Sequence, residues 1–332
     1  MALTIKDLAE LTGISTSTIS RALSNKGYVN EETRAAVLKA VEEHGYQYKP
    51  VTHRKNSTDM VLLILGLMDS NVYYQGVHGI SSVFDALGIT YMVAYGDPFD
   101  TQKLEAHMRW AIRNRCRGMI LFSAVETPSF RRIVQNTTIP CVSIIRPVDS
   151  IKMDSICMDN KTAGRMATQY LIDRGHRRII NLTVTGGSAS NYRTKGYLEA
   201  MQNAGLDVHE NDIIEVEEKP GVGIYIGSYI AVSRKDVTAI YTSNENLARE
   251  VIEGLQRCGK RCPADISVIS TDNTSLAENF TPRLTTVSCD VYRMGAEAAQ
   301  LFVSRCENPI GEKKQIYLCP QIIERDSVAD IR

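Results

Sequence analysis

The sequence predicts an α/β protein in two parts, a small three-helix head at the N-terminus and a two-lobed α/β body behind it. Three observations carry this. Residues 4–48 hold three short stretches with apolar residues at helical spacing and capping side chains at their starts. From residue 59 onward, short apolar runs alternate with amphipathic helices, the pattern of parallel strands joined by crossover helices. That pattern runs twice, which divides the body into two α/β lobes. At 332 residues and 43% hydrophobic, the chain suits two or three domains with substantial cores.

In the head, Thr4 stands three residues before Asp7, an N-cap pattern, and Ile5, Leu8 and Ala9 share one helical face. Leu11-Thr12-Gly13-Ile14 reads as a turn in which Gly13 supplies the left-handed conformation, and Ser15 caps a second helix. In that helix Ile19 and Leu23 point inward, leaving Thr16, Ser17, Ser20 and Arg21 outside. A third helix starts after Asn30, with Glu31 and Glu32 in the first turn where the helix dipole favours negative charge and Val37, Ala40 and Val41 inward. A two-helix hairpin with a glycine turn is common and by itself rarely binds DNA. The small polar outer face with an arginine is what fits a helix-turn-helix whose second helix enters the major groove.

The body begins with strands over 60–68, 89–95, 118–122 and 141–145, separated by helices near 74–87, 101–115 and 128–137. A second set follows: helix 161–174, strand 178–184, helix 190–204, strand 212–216, helix 223–233, strand 237–242, helix 244–258 and strand 266–270. Residues 284–288 then lead into helix 290–304 and one final strand near 315–324. The expected division is a head over 1–48, a linker over 49–59 and a body over 60–332. Within the body the second lobe takes about 162–285.

Composition excludes several functions. Formal net charge is zero, and residues 1–56 carry eight Lys/Arg against six Asp/Glu, a local excess of two. A single head this weakly basic binds DNA poorly by counterion release, so two heads joined in a dimer are expected. The eight cysteines form no Cys-x-x-Cys pair, and no His or further Cys accompanies Cys258 and Cys262 to complete a tetrahedral site; reduced thiols and no metal or cofactor are expected. No run approaches the roughly 18 apolar residues of a spanning helix, and no basic-then-apolar leader opens the chain, so no membrane partner and a cytoplasmic location are expected. The six histidines are dispersed and no nucleophile sits with a base, which argues against an enzyme. Gly186-Gly187 lacks the lysine and third glycine of a phosphate loop and reads as a plain loop.

The runs Ile5-Lys6-Asp7-Leu8-Ala9, Gly13-Ile14-Ser15, Thr18-Ile19-Ser20-Arg21-Ala22-Leu23-Ser24-Asn25, Val29-Asn30-Glu31-Glu32-Thr33-Arg34 and Gly45-Tyr46 closely resemble the headpiece of the LacI/GalR (lactose-repressor) family. The match extends over nearly the whole chain, most specifically at Arg174-Gly175-His176-Arg177-Arg178-Ile179, Ala264-Asp265-Ile266-Ser267-Val268-Ile269 and Pro282-Arg283-Leu284-Thr285-Thr286-Val287. The resemblance implies a periplasmic-binding-protein-like (type I) body, a clamshell with its ligand between the lobes and a first lobe of about 60–158 and 290–324. It implies a repressor that binds a pseudo-palindromic operator as a homodimer and changes DNA affinity with a small-molecule effector. Thr16, Ser17 and Arg21 are then expected against bases, with Thr18 and Ser20 on the same helix, and Thr4, Asn25, Tyr28 and Thr33 at phosphates.

The resemblance also supplies a cleft. Asp69-Ser70-Asn71-Val72-Tyr73-Tyr74 is similar to the family's loop after the first strand, giving Asn71, Tyr73 and Tyr74. Arg193 falls where the family places a ligand-forking arginine, and Asn244 and Asp272 match two further polar positions. Such a set suits a neutral polyhydroxylated molecule such as a sugar. Each residue also has a plain structural reading: Asn244 as a helix cap, Asp272 as a turn residue, the tyrosines as interface core. The chain departs from the pattern at Val72, at Glu245 and at Thr271-Asp272-Asn273. The connector 49–58 has no leucine to wedge into the minor groove; it reads as a flexible linker or as a basic arm using His53, Arg54 and Lys55. The chain closes without a leucine heptad, which favours a dimer over a tetramer. Two rival readings stand beside the sugar-controlled repressor: a solute-binding component of a sugar transporter, which the head and the missing leader oppose, and a corepressor-dependent regulator answering a non-sugar metabolite.

Overall fold

The computed structural model describes residues 5–24, 29–44, 58–66, 71–96 and 100–332, with the side chains of Ile5, Lys6, Ser17 and Ser24 outside that description. The head is built from α1 (Ile5–Thr12), α2 (Thr16–Ser24) and α3 (Glu31–Glu43). Local chemistry sets each boundary. Gly13, at φ +68°, ends α1 with its N–H on the Ala9 carbonyl at 3.0 Å. The Ser15 hydroxyl accepts from the Thr18 N–H at 3.2 Å, and Asn30 caps α3 by accepting from the Thr33 N–H at 2.8 Å. Leu8, Ile19, Ala22, Leu23, Val37 and Ala40 make the small core, as the helical spacing requires.

The body holds two six-stranded sheets. The first takes β1 (Met60–Leu65), β2 (Thr90–Tyr95), β3 (Gly118–Phe122), β4 (Cys141–Ile145) and β5 (Asp154–Met158), connected by α4 (Asn71–Ala86), α5 (Thr101–Arg113) and α6 (Pro128–Asn136). After α7 (Asn160–Asp173) the second takes β6 (Ile179–Val184), β7 (Ile213–Val216), β8 (Ala239–Thr242), β9 (Ser267–Thr271) and β10 (Thr285–Ser288). Its connecting helices are α8 (Ser188–Asn203), α9 (Val222–Ser233), α10 (Glu245–Arg257) and α11 (Ser275–Asn279). The chain returns to the first lobe through α12 (Val291–Glu307) and β11 (Gln315–Leu318), then crosses back into the second sheet as β12 (Gln321–Ile323).

The sheets run β11-β5-β4-β3-β1-β2 and β12-β10-β9-β8-β6-β7. All pairings are parallel except that of β12 with β10. Each lobe is thus a doubly wound unit whose strand order reverses beside its first strand, β1 or β6. Three connections join the lobes: Asp159 between β5 and α7, Cys289-Asp290 between β10 and α12, and Cys319-Pro320 between β11 and β12.

Two expectations change here. The final strand expected near 315–324 is two strands in different sheets, divided at Cys319-Pro320, so the first lobe keeps only β11. Strand β5 went unread because Asp154 and Ser155 break its apolar run. Both are buried: Arg305 of α12 forks onto Asp154 at 2.6 and 2.9 Å, and the Lys314 N–H adds a third bond at 3.0 Å. That bidentate pair satisfies a charge that would otherwise not be buried and ties α12 to the edge of the first sheet.

Glycines let paired helices meet backbone to backbone. A Cβ on Gly164 of α7 would overlap the Arg193 carbonyl of α8, and one on Gly196 of α8 would overlap the Lys161 carbonyl. This crossing sets where the Arg193 backbone lies.

Candidate functional site

In a doubly wound sheet, ligands bind beyond the carboxyl ends of the strands, near the point where strand order reverses. Here the carboxyl ends of both sheets face one cavity of about 650 Å³ between the lobes. The first lobe supplies Asn71 and Tyr73 after β1, Ser123 after β3 and Arg146 after β4; the second supplies Asn160 at the start of α7, Ser190 and Arg193 on α8, Glu218 after β7, Asn244 and Glu245 at α10, and Asp272 after β9.

Arg193 donates from Nη1 to the Asn160 Oδ1 at 3.0 Å, while its buried Nε has no hydrogen-bond partner. Asn160 is itself oriented by donating from Nδ2 to the Met158 carbonyl at 2.9 Å. Asp272 stands in the left-handed region at φ 77°, a conformation an aspartate tolerates better than most residues. Among the described residues its carboxylate has no hydrogen-bond partner. Burial pushes its carboxyl up to about 7; Glu245 and Glu218 add to the rise, and Arg193 opposes it.

Asn244 shows that cap and cleft residue are compatible. Its Oδ1 accepts from the Leu247 N–H at 2.8 Å, and its Nδ2 donates to Glu218 at 2.9 Å while it lines the cavity. Glu245 is buried and accepts from the Thr274 N–H at 2.8 Å and hydroxyl at 2.5 Å; burial raises its carboxyl above the usual range. Tyr73 is buried edge-on to Phe122 at 5.6 Å, and burial raises its phenol. The Ser243 hydroxyl is buried in the cavity wall without a partner.

Of the cleft residues expected from sequence, Asn71, Tyr73, Arg193, Asn244 and Asp272 come together. Tyr74 does not. Successive residues on α4 point about 100° apart, so with Tyr73 inward Tyr74 is 71% exposed and stacks on His78 instead. Arg146, Asn160 and Glu218 were missed. Asn160 opens a helix after the unread β5, and Arg146 and Glu218 sit in loops that only strand order brings to the cavity.

On the head, Thr16, Ser20 and Arg21 are exposed on α2 and Thr33 is half-buried in the first turn of α3. The half-buried Thr18 hydroxyl bonds Ser15 at 2.8 Å, so it contributes to the helix start as well as to that face. Thr4, Asn25, Tyr28, Arg54 and Lys55, with the Ser17 side chain, lie outside the described residues. Among the described residues, no helix is long and apolar enough to cross a membrane.

Residues 4–48 match the model of bacterial regulatory proteins of the lacI family, and residues 168–328 match a periplasmic binding protein-like domain. The chain is 31% identical over 330 residues to the HTH-type transcriptional repressor PurR of Vibrio atlanticus (strain LGP32), covering 98% of each chain. It is 30% identical over 333 residues to the protein of that name from Vibrio cholerae serotype O1 (strain M66-2), covering 99% of this chain and 98% of the other. Among solved structures, the complex of the transcriptional regulator CelR with cellobiose superposes with a TM-score of 0.74 at 25% identity, covering 98% of this chain and 99% of that one. Head, two-lobed body and full-length likeness to named repressors agree: the chain belongs to the LacI family of bacterial transcriptional regulators.

Proposed function

We propose that this regulator works as a homodimeric repressor whose two heads grip a pseudo-palindromic operator and whose cleft binds a polyhydroxylated small molecule that resets DNA affinity. The observation that carries this reading is the convergence of both sheets' carboxyl ends on one cavity in the chain that also bears the helix-turn-helix head. Asp272, Asn160 and Asn244 offer planar acceptors and donors to hydroxyls, Arg193 offers a guanidinium with an unused Nε, and the Tyr73 ring offers a face for C–H groups. A relative with this architecture holds cellobiose, which supports a sugar-type effector. The family consists of regulators rather than enzymes, and operator binding puts the protein's work in the cytoplasm. The head over 1–48, the linker over 49–59 and the body over 60–332 are its working units.

On the DNA side, Thr16, Ser17 and Arg21 read base edges, with Thr18 and Ser20 on the same helix. Thr4, Asn25, Tyr28 and Thr33 hold phosphates, and Arg54 and Lys55 add sequence-independent attraction. The test starts with the full-length protein and a randomised duplex pool. Enrichment of a two-fold symmetric site is expected; no enrichment defeats the repressor reading. On the selected site, Arg21→Ala should cost roughly 1 to 3 kcal/mol of discrimination against scrambled DNA. Equal loss on both sequences would sink base readout. Effector and DNA must change each other's affinity reciprocally. Arg193→Ala or Asp272→Ala should therefore remove the effector response while DNA affinity without effector shifts by no more than about threefold, under 1 kcal/mol.

A further inference from the structure

A neutral sugar leaves one cleft residue without a task. Arg146 is the only charged side chain that the first lobe sends into the cavity wall among the described residues. It follows Ile145, which holds the left-handed φ of 78° that turns the chain at the end of β4. The residue is half-buried, yet among the described residues its guanidinium has neither an ion pair nor a hydrogen bond. The charges that act on it are Tyr73 and a second cation, Arg193. Partial removal from water already disfavours its charged form, and the like charge adds to that. Arg193 brings its own unused capacity, a buried Nε with no partner. Two guanidiniums turned toward one cavity, one with no partner and the other partly satisfied by a neutral amide, make a site that lacks an anion.

The cavity's carboxylates do not fill that role. Glu245 is held by two bonds from Thr274, and Glu218 accepts from Asn244. Asp272 feels Arg193, but no carboxylate acts on Arg146. With its carboxyl raised to about 7, Asp272 spends much of its time protonated near neutral pH, which lowers its repulsion of a negatively charged ligand.

We infer that the effector is a polyhydroxylated anion whose carboxylate or phosphate group is taken between Arg146 and Arg193 while Asn160, Asn244 and Asp272 hold its hydroxyls. This rests on the polyhydroxylated-effector reading and narrows it from neutral sugars to charged ones. Arg146 is then the residue that sets specificity from the first lobe, and the ligand's charged end joins the two lobes.

Calorimetry on the full-length protein tests it, with glucose and galactose, their aldonates and uronates, and their terminal phosphate esters as probes. At least one charged form should bind about tenfold or more tightly than its parent sugar, the scale of one charge-assisted bidentate contact. A winning aldonate or uronate identifies a carboxylate, and a winning ester identifies a phosphate. In Arg146→Gln the affinity ratio between that anion and its parent should collapse toward one, and Arg146→Lys should restore part of it. A parent sugar that binds as tightly as all its charged forms overturns the anion assignment and leaves a sugar site. So does an Arg146→Gln variant that weakens both ligands equally, the result expected if Arg146 instead pairs with the acidic wall when the lobes close. If no probe binds, neutral or charged, the polyhydroxylated-effector reading falls and takes this one with it.

Discussion

The first sheet runs β2-β1-β3-β4-β5 with β11 beyond, and the second runs β7-β6-β8-β9-β10 with β12 beyond, yet the two present different walls to the cavity they share. Among the described residues, the first lobe's wall is aromatic and apolar around Tyr73, Val72 and Ile145, with Arg146 as its single charge. The second lobe's wall carries Glu218, Glu245 and Asp272 against one Arg193. One backbone topology used twice fixes where a ligand sits; the side chains at the strand ends decide what it is. The lobes also secure their outer strands differently. Beside β11 a buried ion pair, Arg305 with Asp154, does so. Near β12 the buried Ser327 hydroxyl accepts from the Thr285 N–H at 2.8 Å and donates to the Val268 carbonyl at 2.6 Å.

The largest expected effect tests that second contrast. Asp154→Ala leaves Arg305 charged and buried without its carboxylate, and should lower unfolding free energy in urea by about 3 to 5 kcal/mol. Ser327→Ala should cost only about 1 to 3 kcal/mol, the penalty for one unpaired buried donor. Equal losses would erase the distinction between the two edges. Next in size is Gly164→Ala, whose new Cβ meets the Arg193 carbonyl. It should cost about 1 to 3 kcal/mol and also weaken effector binding, because the chain that carries the guanidinium has to move. A destabilised variant with native effector affinity would show that the α7–α8 crossing does not position Arg193.

The remaining effect depends on pH. Because the Asp272 carboxyl is raised to about 7, the folded chain holds a proton that the unfolded chain releases at lower pH. Stability should therefore be fully retained below the unfolded value, decline as pH rises toward about 7, and level off above it. The slope from this group is at most about 1.4 kcal/mol per pH unit. Arg193, Glu245 and Glu218 face this group, with Tyr73, Tyr241 and Cys289 also within its influence. Thermal unfolding of Asp272→Asn across that range, beside the native protein, isolates its share; identical pH profiles would mean that Asp272 titrates normally.

The head was legible from sequence because its determinants are local. A glycine, a cap and a pair of inward apolar residues lie within a few positions of what they control, as Asn30 and Thr33 show. The body's alternation of strands and helices was legible for the same reason. What escaped depends on distant partners. Strand β5 looks too polar until Arg305, 151 residues away, neutralises Asp154. Arg146 and Asn160 gain meaning only when parallel pairing sets β4 and β5 side by side and brings α8 against α7. Resemblance reached Arg193 and Asp272 because it carries such long-range information implicitly. It failed at Tyr74 because a motif of adjacent aromatics does not say which one a helix turns outward.

The three links between the lobes are one, two and two residues long. A residue of extended chain spans at most about 3.6 Å, so these links have almost no slack. Pulling the lobes apart or sliding one along the other would require breaking strand pairs at β5, β10 or β11. Rotation about the row of links requires only modest changes of backbone torsion. The links thus leave rotation about their row as the easiest relative motion of the two lobes. In a dimer, a change in the angle between the lobes would alter the spacing of two attached heads, and half-sites a fixed number of base pairs apart would register it.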